Sequence, residues 1–213
     1  AAYTERFDAV QRYIRAGDCY QINLAQRFSA RYEGDEWQAY LQLREATPTP
    51  FSGFMAWGDH AVLSLSPERF IQSRDGLVET RPIKGTRPRG KTPEEDRVLA
   101  EDLLKSTKDR AENVMIVDLL RNDLGRVCVP GSIRVPQLCQ LESYPNVHHL
   151  VSVVQGRLAP QHSPLSLLTA AFPGGSITGA PKIRAMQIID ELEPCQRSVY
   201  CGSLGYIDVR GSM

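Results

Sequence analysis

An acid and an amine stand close together in the sequence, in an arrangement that suits proton transfer or nucleophilic attack. Glu68 lies in the run SPERF at 66–70, and Lys84 lies in the run RPIKGT at 81–86. An Asp-Gly pair between them is a hairpin turn signal, so a meander can bring both side chains to one end of a sheet. A positioned carboxyl can move a proton, and a lysine can attack carbon through its free amine.

The chemistry of residues 81–91 alone leaves two interpretations open. Lysine attacks only as the uncharged amine, and nearby positive charge favours that form; Arg81 and Arg87 could supply it. The alternative is a solvated basic loop in which Glu68 and Lys84 form a surface ion pair.

Two carboxylates on a predicted helix form a second constellation. Asp109 and Glu112 are three residues apart and therefore share one face of that helix. Oxygen ligands of this kind can hold a hydrated Mg²⁺ that keeps several of its waters. An exposed helix with internal ion pairs explains the same pattern.

A glycine-rich run, PGGSITGAPK at 173–182, leads into a predicted helix. Backbone N–H groups at such a junction can bind an anion, and the helix dipole favours it. The run lacks the G-K-[ST] of a Walker A loop and the G-x-G-x-x-G of a dinucleotide fold, so phosphate is not favoured over carboxylate. A tight connecting loop is the alternative.

The adjacent histidines His148 and His149 lie in a predicted strand. Neighbouring side chains of a strand point to opposite faces, so these two cannot bind one metal ion together. One of them could face a site, and an ordinary packed or exposed histidine is the alternative for each.

The elements that must position these residues follow from periodicity and capping signals. Predicted helices cover residues 4–16, 36–45, 92–105, 108–124, a short stretch from 163, and 181–192. Strand-like patterns cover residues 19–30, 51–57, 61–66, 69–73, 77–80, 131–142, 146–158 and 198–209. Strands in consecutive runs, with helices not in strict alternation, predict an α+β fold with antiparallel sheets. No repeat or linker interrupts the chain, so we expect one domain over residues 1–213.

Composition excludes several classes of function. The 213 residues are 42% hydrophobic and 23% charged, which argues against disorder, and the formal net charge of zero gives no sign of nucleic-acid or membrane binding. No apolar run approaches the ~20 residues that span a bilayer. The five cysteines, an odd number without a C-x-x-C pair, predict a reduced cytoplasmic protein without disulfides or zinc.

Taken in order, these motifs resemble the chorismate-utilising enzymes, a family that includes anthranilate synthase component I and the isochorismate and salicylate synthases. The matching stretches are GDCYQINL at 17–24, SPERF at 66–70, RPIKGT at 81–86, residues 109–125, and PGGSITGAPK at 173–182. They extend over nearly the whole chain. The resemblance implies two packed, mainly antiparallel β-sheets flanked by helices, in agreement with the α+β prediction.

Within that family, Lys84 distinguishes one reaction from the others. Anthranilate and isochorismate synthases typically carry alanine there, whereas the PIKGT form resembles the members that aminate chorismate. In those members the lysine attacks C2 of the ring, the 4-hydroxyl leaves, ammonia adds at C4 and the lysine is expelled. The product, 4-amino-4-deoxychorismate, leads to para-aminobenzoate and folate. Glu68 matches the general acid that protonates the departing hydroxyl, which implies a raised pKa for its carboxyl.

The resemblance also implies roles for other side chains. Gln21 stands near a lysine that activates water in isochorismate-type members, so a glutamine favours ammonia, which a glutamine amidotransferase subunit would supply. Asp109 and Glu112 match the first half of a Mg²⁺ site that neutralises the ring carboxylate of chorismate, with Glu112 as the direct ligand. The residues that match substrate-binding positions are His149, Ser176, Thr178, Gly179 and Tyr206.

Length is where the chain departs from the family. Family members have a segment before the position of Ala1, and they continue past Met213 with a substrate-binding arginine, a glycine-rich strand and a helix bearing the second pair of metal carboxylates. We therefore expect an incomplete C-terminal end, half of the metal site, and little or no activity from the 213-residue chain alone. Anthranilate synthesis with release of pyruvate, and a non-catalytic scaffold for an amidotransferase, are the alternative functions.

Overall fold

A computed structural model describes residues 2–213 as helices packed on antiparallel sheets. The helices are α1 (Ala2–Arg15), α2 (Glu36–Ala46), α3 (Pro93–Lys105), α4 (Thr107–Gly125), α5 (Pro164–Ala171) and α6 (Lys182–Leu192). The strands are β1 (Gln21–Ile22), β2 (Phe51–Trp57), β3 (His60–Ser66), β4 (Gln72–Arg74), β5 (Leu77–Thr80), β6 (Ile83–Pro88), β7 (Arg134–Ser143), β8 (Val147–Arg157) and β9 (Gly179–Ala180). The predicted α+β class with antiparallel sheets is confirmed.

Strand β8 organises the largest sheet, which has five strands. Strand β7 pairs along one edge of β8, while β5 and β6 follow each other along the opposite edge. Pro82 separates β5 from β6 because proline has no N–H to give to the ladder. Its carbonyl still accepts a hydrogen bond from Ser152 N over 3.1 Å, so the edge remains continuous. Two smaller sheets pair β2 with β3 and β1 with β9.

Side-chain caps mark the starts of α3 and α4. The run TPEE at 92–95 is a capping-box pattern, and the Thr92 side chain does accept from Glu95 N at the start of α3, but the Glu95 carboxylate accepts from Lys91 N rather than from the N–H of Thr92. Ser106 caps α4 by accepting from Asp109 N over 3.2 Å. These caps satisfy N–H groups that have no partner inside the helix. The cap therefore fixes Asp109 in the first turn of α4.

The core lies where α4 packs between β8 and α5. Its fully buried members include Ile116 and Leu124 of α4, Val154 of β8 and Leu167 of α5. A polar network crosses the same interface, because Asn113 of α4 donates to Leu150 O and accepts from the Ser152 hydroxyl. Buried polar groups are stable only when they are paired in this way. This network and the apolar packing together fix α4 against the sheet.

Residues 81–91 have no strand-like pattern, and their composition predicts a basic, glycine-containing loop; this prediction is wrong for the central part, where β6 pairs with β8. Ile83 lies opposite Val151 and Thr86 lies opposite His149, so β6 has one extra residue in that interval, which is a β-bulge. Proline, glycine and three arginines in this run concealed the strand. The partner strand β8 supplies hydrogen bonds that outweigh this unfavourable composition.

Two strand predictions are wrong in extent. Of residues 19–30, only Gln21–Ile22 pairs in a sheet, and within the described residues the run 198–209 contains no strand. Ser198 and Cys201 have φ angles of 54° and 61°, which a strand does not allow. A period-two pattern predicts that a segment favours extended backbone, but a strand also needs a neighbour to accept its hydrogen bonds.

Within the part of the chain that the structure describes, all five cysteines are free. Within residues 2–213, no helix is both long enough and apolar enough to cross a bilayer.

Candidate active site

Lys84 lies in the bulge of β6, where its backbone leaves the regular ladder. The next residue, Gly85, has a φ of 90°, and a Cβ there would lie 2.8 Å from Asp109 Cβ and 2.9 Å from Leu103 Cδ1. Only glycine allows both this conformation and this close approach of the helices. The Lys84 Nζ donates to the carbonyl oxygen of Ser176 over 3.2 Å. The bulge thus aims the amine at the glycine-rich loop.

Glu68 follows the end of β3, and hydrogen bonds to the nearby Ser66 fix its backbone. The Ser66 hydroxyl donates to Glu68 O over 3.0 Å and accepts from Glu68 N over 3.2 Å. The Glu68 carboxylate accepts a hydrogen bond from the Ser176 hydroxyl over 2.8 Å. Burial raises the pKa of the Glu68 carboxyl, although the Ser176 hydrogen bond and the Lys84 charge act in the opposite direction. A raised pKa is what a general acid requires, and its direction agrees with the sequence prediction.

Ser176 joins the two predicted catalytic groups. It lies in a short 3₁₀ turn, Gly175–Ile177, inside the glycine-rich run. Its hydroxyl contacts Glu68 and its carbonyl oxygen contacts Lys84, so an acid and an amine are brought to one residue. An acid and an amine that contact the same residue suit a substitution in which one group attacks as another leaves.

Two residues without a predicted role hold this loop in place. The Asn23 amide donates to Ser176 O, and the Asn23 backbone N–H donates to Thr178 O over 2.8 Å. Arg197 donates to Ile177 O and to Asn23 O, each over 2.6 Å. In the sequence, Asn23 falls in the strand-like run 19–30 and in the matching stretch 17–24 without an assigned role. No local pattern reveals a contact between residues more than 150 positions apart.

Thr178 and Gly179 are buried, Thr178 in the glycine-rich loop and Gly179 in β9, which pairs with β1. The Thr178 hydroxyl donates to Gly174 O over 2.9 Å. A Cβ at Gly179 would lie 2.1 Å from Gln21 O, so glycine is required for β9 to pair with β1. Gln21 itself has a buried Oε1 without a hydrogen-bond partner among the described residues. In this structure Thr178 and Gly179 shape the loop, and their role in substrate binding stays a prediction.

His149 lies one residue pair from the bulge, opposite Thr86 on β6. Its Nδ1 is 2.9 Å from the Thr86 hydroxyl, and its ring meets Tyr144 edge to face. Burial lowers the pKa of His149, which favours the neutral ring at pH 7. His148 instead contacts Asp96 over 2.9 Å on the other side of β8, so the prediction that the two histidines face opposite ways is confirmed.

Tyr206 lies in an irregular segment and is 74% exposed. It lines a cavity of about 470 Å³ together with Glu68, Arg69, Phe51 and Leu204. The predicted acid and the predicted substrate contact at Tyr206 therefore share one cavity. Neither Lys84 nor His149 lines that cavity, although Lys84 and Glu68 both contact Ser176.

The predicted metal ligands Asp109 and Glu112 lie near the start of α4 and differ in how free their carboxylates are to bind a metal ion. Asp109 is only 16% exposed and pairs with Arg87 over 3.3 Å, whereas the Glu112 side chain is 37% exposed and lies 4.0 Å from Lys108. Within residues 2–213, no three His, Cys, Asp or Glu side chains cluster as a metal site. Glu112 thus fits one ligand of a Mg²⁺ ion, and Asp109 would have to leave Arg87 to provide another.

The two arginines expected to supply positive charge beside Lys84 are engaged elsewhere. Arg87 binds Asp102 as well as Asp109, and Arg81 binds Glu142. Because these carboxylates compensate both charges, the expectation that Arg81 and Arg87 favour the uncharged amine of Lys84 is wrong. The packing of α3 and α4 on β6 places Asp102 and Asp109 beside Arg87, and the partner of Arg81 lies on β7 of the same sheet.

Residues 1–213 match the family described as chorismate binding enzyme, so the chain belongs to that family. The chain is 60% identical over 211 residues to aminodeoxychorismate synthase component 1 of Klebsiella aerogenes, and 59% identical to that of Escherichia coli (strain K12). Each match covers 99% of this chain and 47% of the relative. The chain therefore spans about half the length of the curated relatives it matches.

Solved structures of the same family show the same fold. Anthranilate synthase component I from Streptococcus pneumoniae TIGR4 superposes with a TM-score of 0.91 at 40% identity, over 100% of this chain and 47% of that one. The putative 2,3-dihydroxybenzoate-specific isochorismate synthase DhbC from Bacillus anthracis superposes with a TM-score of 0.74 at 25% identity, over 92% of this chain and 54% of that one. The predicted family fold is thereby confirmed.

Proposed function

We propose that the gene product carrying this chain is an aminodeoxychorismate synthase component I, which converts chorismate and ammonia into 4-amino-4-deoxychorismate for para-aminobenzoate and folate synthesis. The observation that carries the proposal is the meeting of Lys84 and Glu68 at Ser176. Relatives of that name at 59–60% identity support the same assignment.

In the proposed reaction, Lys84 acts as nucleophile and Glu68 as general acid. The Lys84 amine forms a bond to C2 of chorismate while the C4–O bond breaks, and the Glu68 proton leaves with the hydroxyl as water. Ammonia then forms a bond to C4 while the C2–N bond breaks, which returns the Lys84 amine. The sum is chorismate plus ammonia giving 4-amino-4-deoxychorismate plus water, so the covalent step divides one difficult substitution into two.

Other side chains would bind and orient the substrate. Glu112 and Asp109 would hold Mg²⁺, whose charge would neutralise the ring carboxylate of chorismate. His149 and Tyr206 would contact the ring from the sheet and the cavity. Ser176, Thr178 and Gly179 would present the glycine-rich loop to a substrate carboxylate.

The ammonia would come from a glutamine amidotransferase subunit in the cytoplasm. The designation "component 1" of the relatives supports a partner subunit. Gln21 supports ammonia as nucleophile, because its amide has no basic nitrogen that could activate water.

The decisive test replaces Lys84 with alanine in the complete gene product. We expect no covalent adduct and a large loss of aminodeoxychorismate formation, because the nucleophile is removed. Mass spectrometry of protein quenched with chorismate, and chromatography of the products, measure both. Lys91→Ala is the matched control, since this lysine is exposed seven residues away. A wild-type protein that never forms an adduct on Lys84 would refute the covalent role.

Anthranilate synthesis is the second candidate, favoured by the TM-score of 0.91 to the Streptococcus pneumoniae anthranilate synthase component I. Release of pyruvate from chorismate and ammonia would show that reaction. A scaffold without catalysis is the third possibility, and calorimetry with chorismate and Mg²⁺ would reveal no binding in that case.

A further inference from the structure

We infer that Asn23 is a positioning residue that holds the Lys84 amine in place through the carbonyl oxygen of Ser176. The inference rests on the function proposed above, in which Lys84 is the nucleophile. The Asn23 side-chain amide donates to Ser176 O, and Lys84 Nζ donates to the same oxygen over 3.2 Å. Within residues 2–213, these are the side-chain hydrogen bonds that reach this carbonyl.

The backbone of Asn23 already attaches its strand to the loop. Asn23 N donates to Thr178 O over 2.8 Å, and Arg197 donates to Asn23 O over 2.6 Å. The pairing of β1 with β9 adds further backbone bonds on the same side. Because these contacts do not use the side chain, the Asn23 amide is not needed for attachment. The amide instead donates to the Ser176 carbonyl oxygen, which also accepts a hydrogen bond from Lys84.

A carbonyl oxygen has two lone pairs, so it can accept from Asn23 and Lys84 at once. Lysine carries its amine on a long stem with high rotamer entropy, and a fixed acceptor restricts where the nitrogen lies. Asn23 fixes that acceptor. A neutral Lys84 amine that donates one N–H to Ser176 O keeps its lone pair free for attack on carbon. Asn23 thus orders the nucleophile without touching the substrate.

The test uses the complete gene product with Asn23→Ala and Asn23→Asp. Tyr20→Phe is the matched control, because Tyr20 lies in the same segment and is 76% exposed. Three quantities are measured: the single-turnover rate of adduct formation on Lys84 by quench and mass spectrometry, the KM for chorismate, and the melting temperature. Misplacement of a reacting atom by 1 Å can cost about 100-fold in rate. We therefore expect adduct formation to slow about 10- to 100-fold in Asn23→Ala, with KM and melting temperature close to those of the control.

Asn23→Asp tests whether Asn23 acts by donating a hydrogen bond or only by filling space. Aspartate has nearly the same shape, but its carboxylate cannot donate and repels the Ser176 carbonyl. We expect it to slow adduct formation at least as much as alanine does.

Three outcomes would overturn the inference. An unchanged adduct rate in Asn23→Ala overturns it, as does an Asn23→Asp protein that reacts like wild type. A slower rate of adduct formation together with a higher KM and a lower melting temperature would show that Asn23 only holds the fold together. The proposed function fails separately: in that case the wild-type protein itself forms no adduct, whereas failure of the inference alone leaves wild-type adduct formation intact.

Discussion

At the scale of single residues, Ser176 binds an acidic side chain through its hydroxyl and a basic side chain through its backbone carbonyl. Its hydroxyl donates to the Glu68 carboxylate and its carbonyl accepts from the Lys84 amine. Burial raises the pKa of Glu68 even though a cation and a donor lie next to it. The acid is therefore poised to hold a proton at a higher pH than an exposed glutamate would. A loop serine thus connects the proposed proton donor to the proposed nucleophile.

Replacement of Glu68 by glutamine tests the general acid. The amide keeps the shape but cannot release a proton, so we expect kcat to fall about 10²- to 10⁴-fold with little change in KM. The wild-type enzyme should lose kcat/KM as pH rises through the raised pKa of Glu68, because the acid form disappears there. This loss should be absent from Glu68→Gln. Steady-state kinetics across pH measures both effects, with Glu94→Gln, an exposed glutamate, as the control. The same alkaline decline in Glu68→Gln would assign it to another group.

At the scale of elements, the bulge of β6 does two things at once. It turns Lys84 toward the glycine-rich loop, and it lets Gly85 approach the start of α4 where Asp109 is capped by Ser106. The predicted nucleophile and the predicted metal ligands are therefore linked through one backbone irregularity. Bulges often occur next to active sites, where they redirect a side chain.

Gly85→Ala tests this link. The added methyl would lie 2.8 Å from Asp109 Cβ at a residue with a φ of 90°, so we expect a loss of stability above the about 1–3 kcal/mol that such a backbone conformation costs a non-glycine residue. Gly76→Ala is the control, because Gly76 has a φ of 76° but nothing within 4 Å of its added methyl. Urea unfolding of both variants isolates the packing contribution as their difference. Equal losses in the two variants would show that α4 does not depend on close contact with the bulge.

At the scale of the whole molecule, α4 joins the sheet to the C-terminal helices. Its buried face packs on β8, and near its end Asp123 meets Lys182 at the start of α6. The Lys182 Nζ also donates to Ala171 O at the end of α5, over 2.8 Å. This buried ion pair thus ties three helices together behind the glycine-rich loop.

Lys182→Met tests the contribution of this pair. Lys182 and Asp123 have side-chain exposures of 9% and 6%, so loss of the lysine leaves a buried charge without its partner. We expect a loss of about 3–5 kcal/mol in the free energy of unfolding, measured by urea titration. The double variant Lys182→Met with Asp123→Leu should recover much of this loss, because it removes both charges. A double variant as unstable as Lys182→Met would mean that the pair is not the cause.

The sequence alone determined the features that depend on near neighbours or on a contiguous motif. Helix starts such as Thr92 at α3, the Asp-Gly hairpin turn, the α+β class and the family were predictable, because caps, turns and motifs are local patterns. The raised pKa of Glu68 was predictable in direction once the family resemblance supplied a role.

Only the tertiary structure decided which distant residues meet. Ser176 lies 92 positions from Lys84 and 108 from Glu68. Asn23 reaches Ser176 from the N-terminal part of the chain, and Arg197 reaches the next residue, Ile177, from the C-terminal part. Likewise, β6 is a strand because β8 accepts its hydrogen bonds, whereas the extended run 198–209 has no such neighbour among the described residues. Local propensity sets what a segment prefers, but a hydrogen bond or an ion pair also needs a partner, and the fold supplies it.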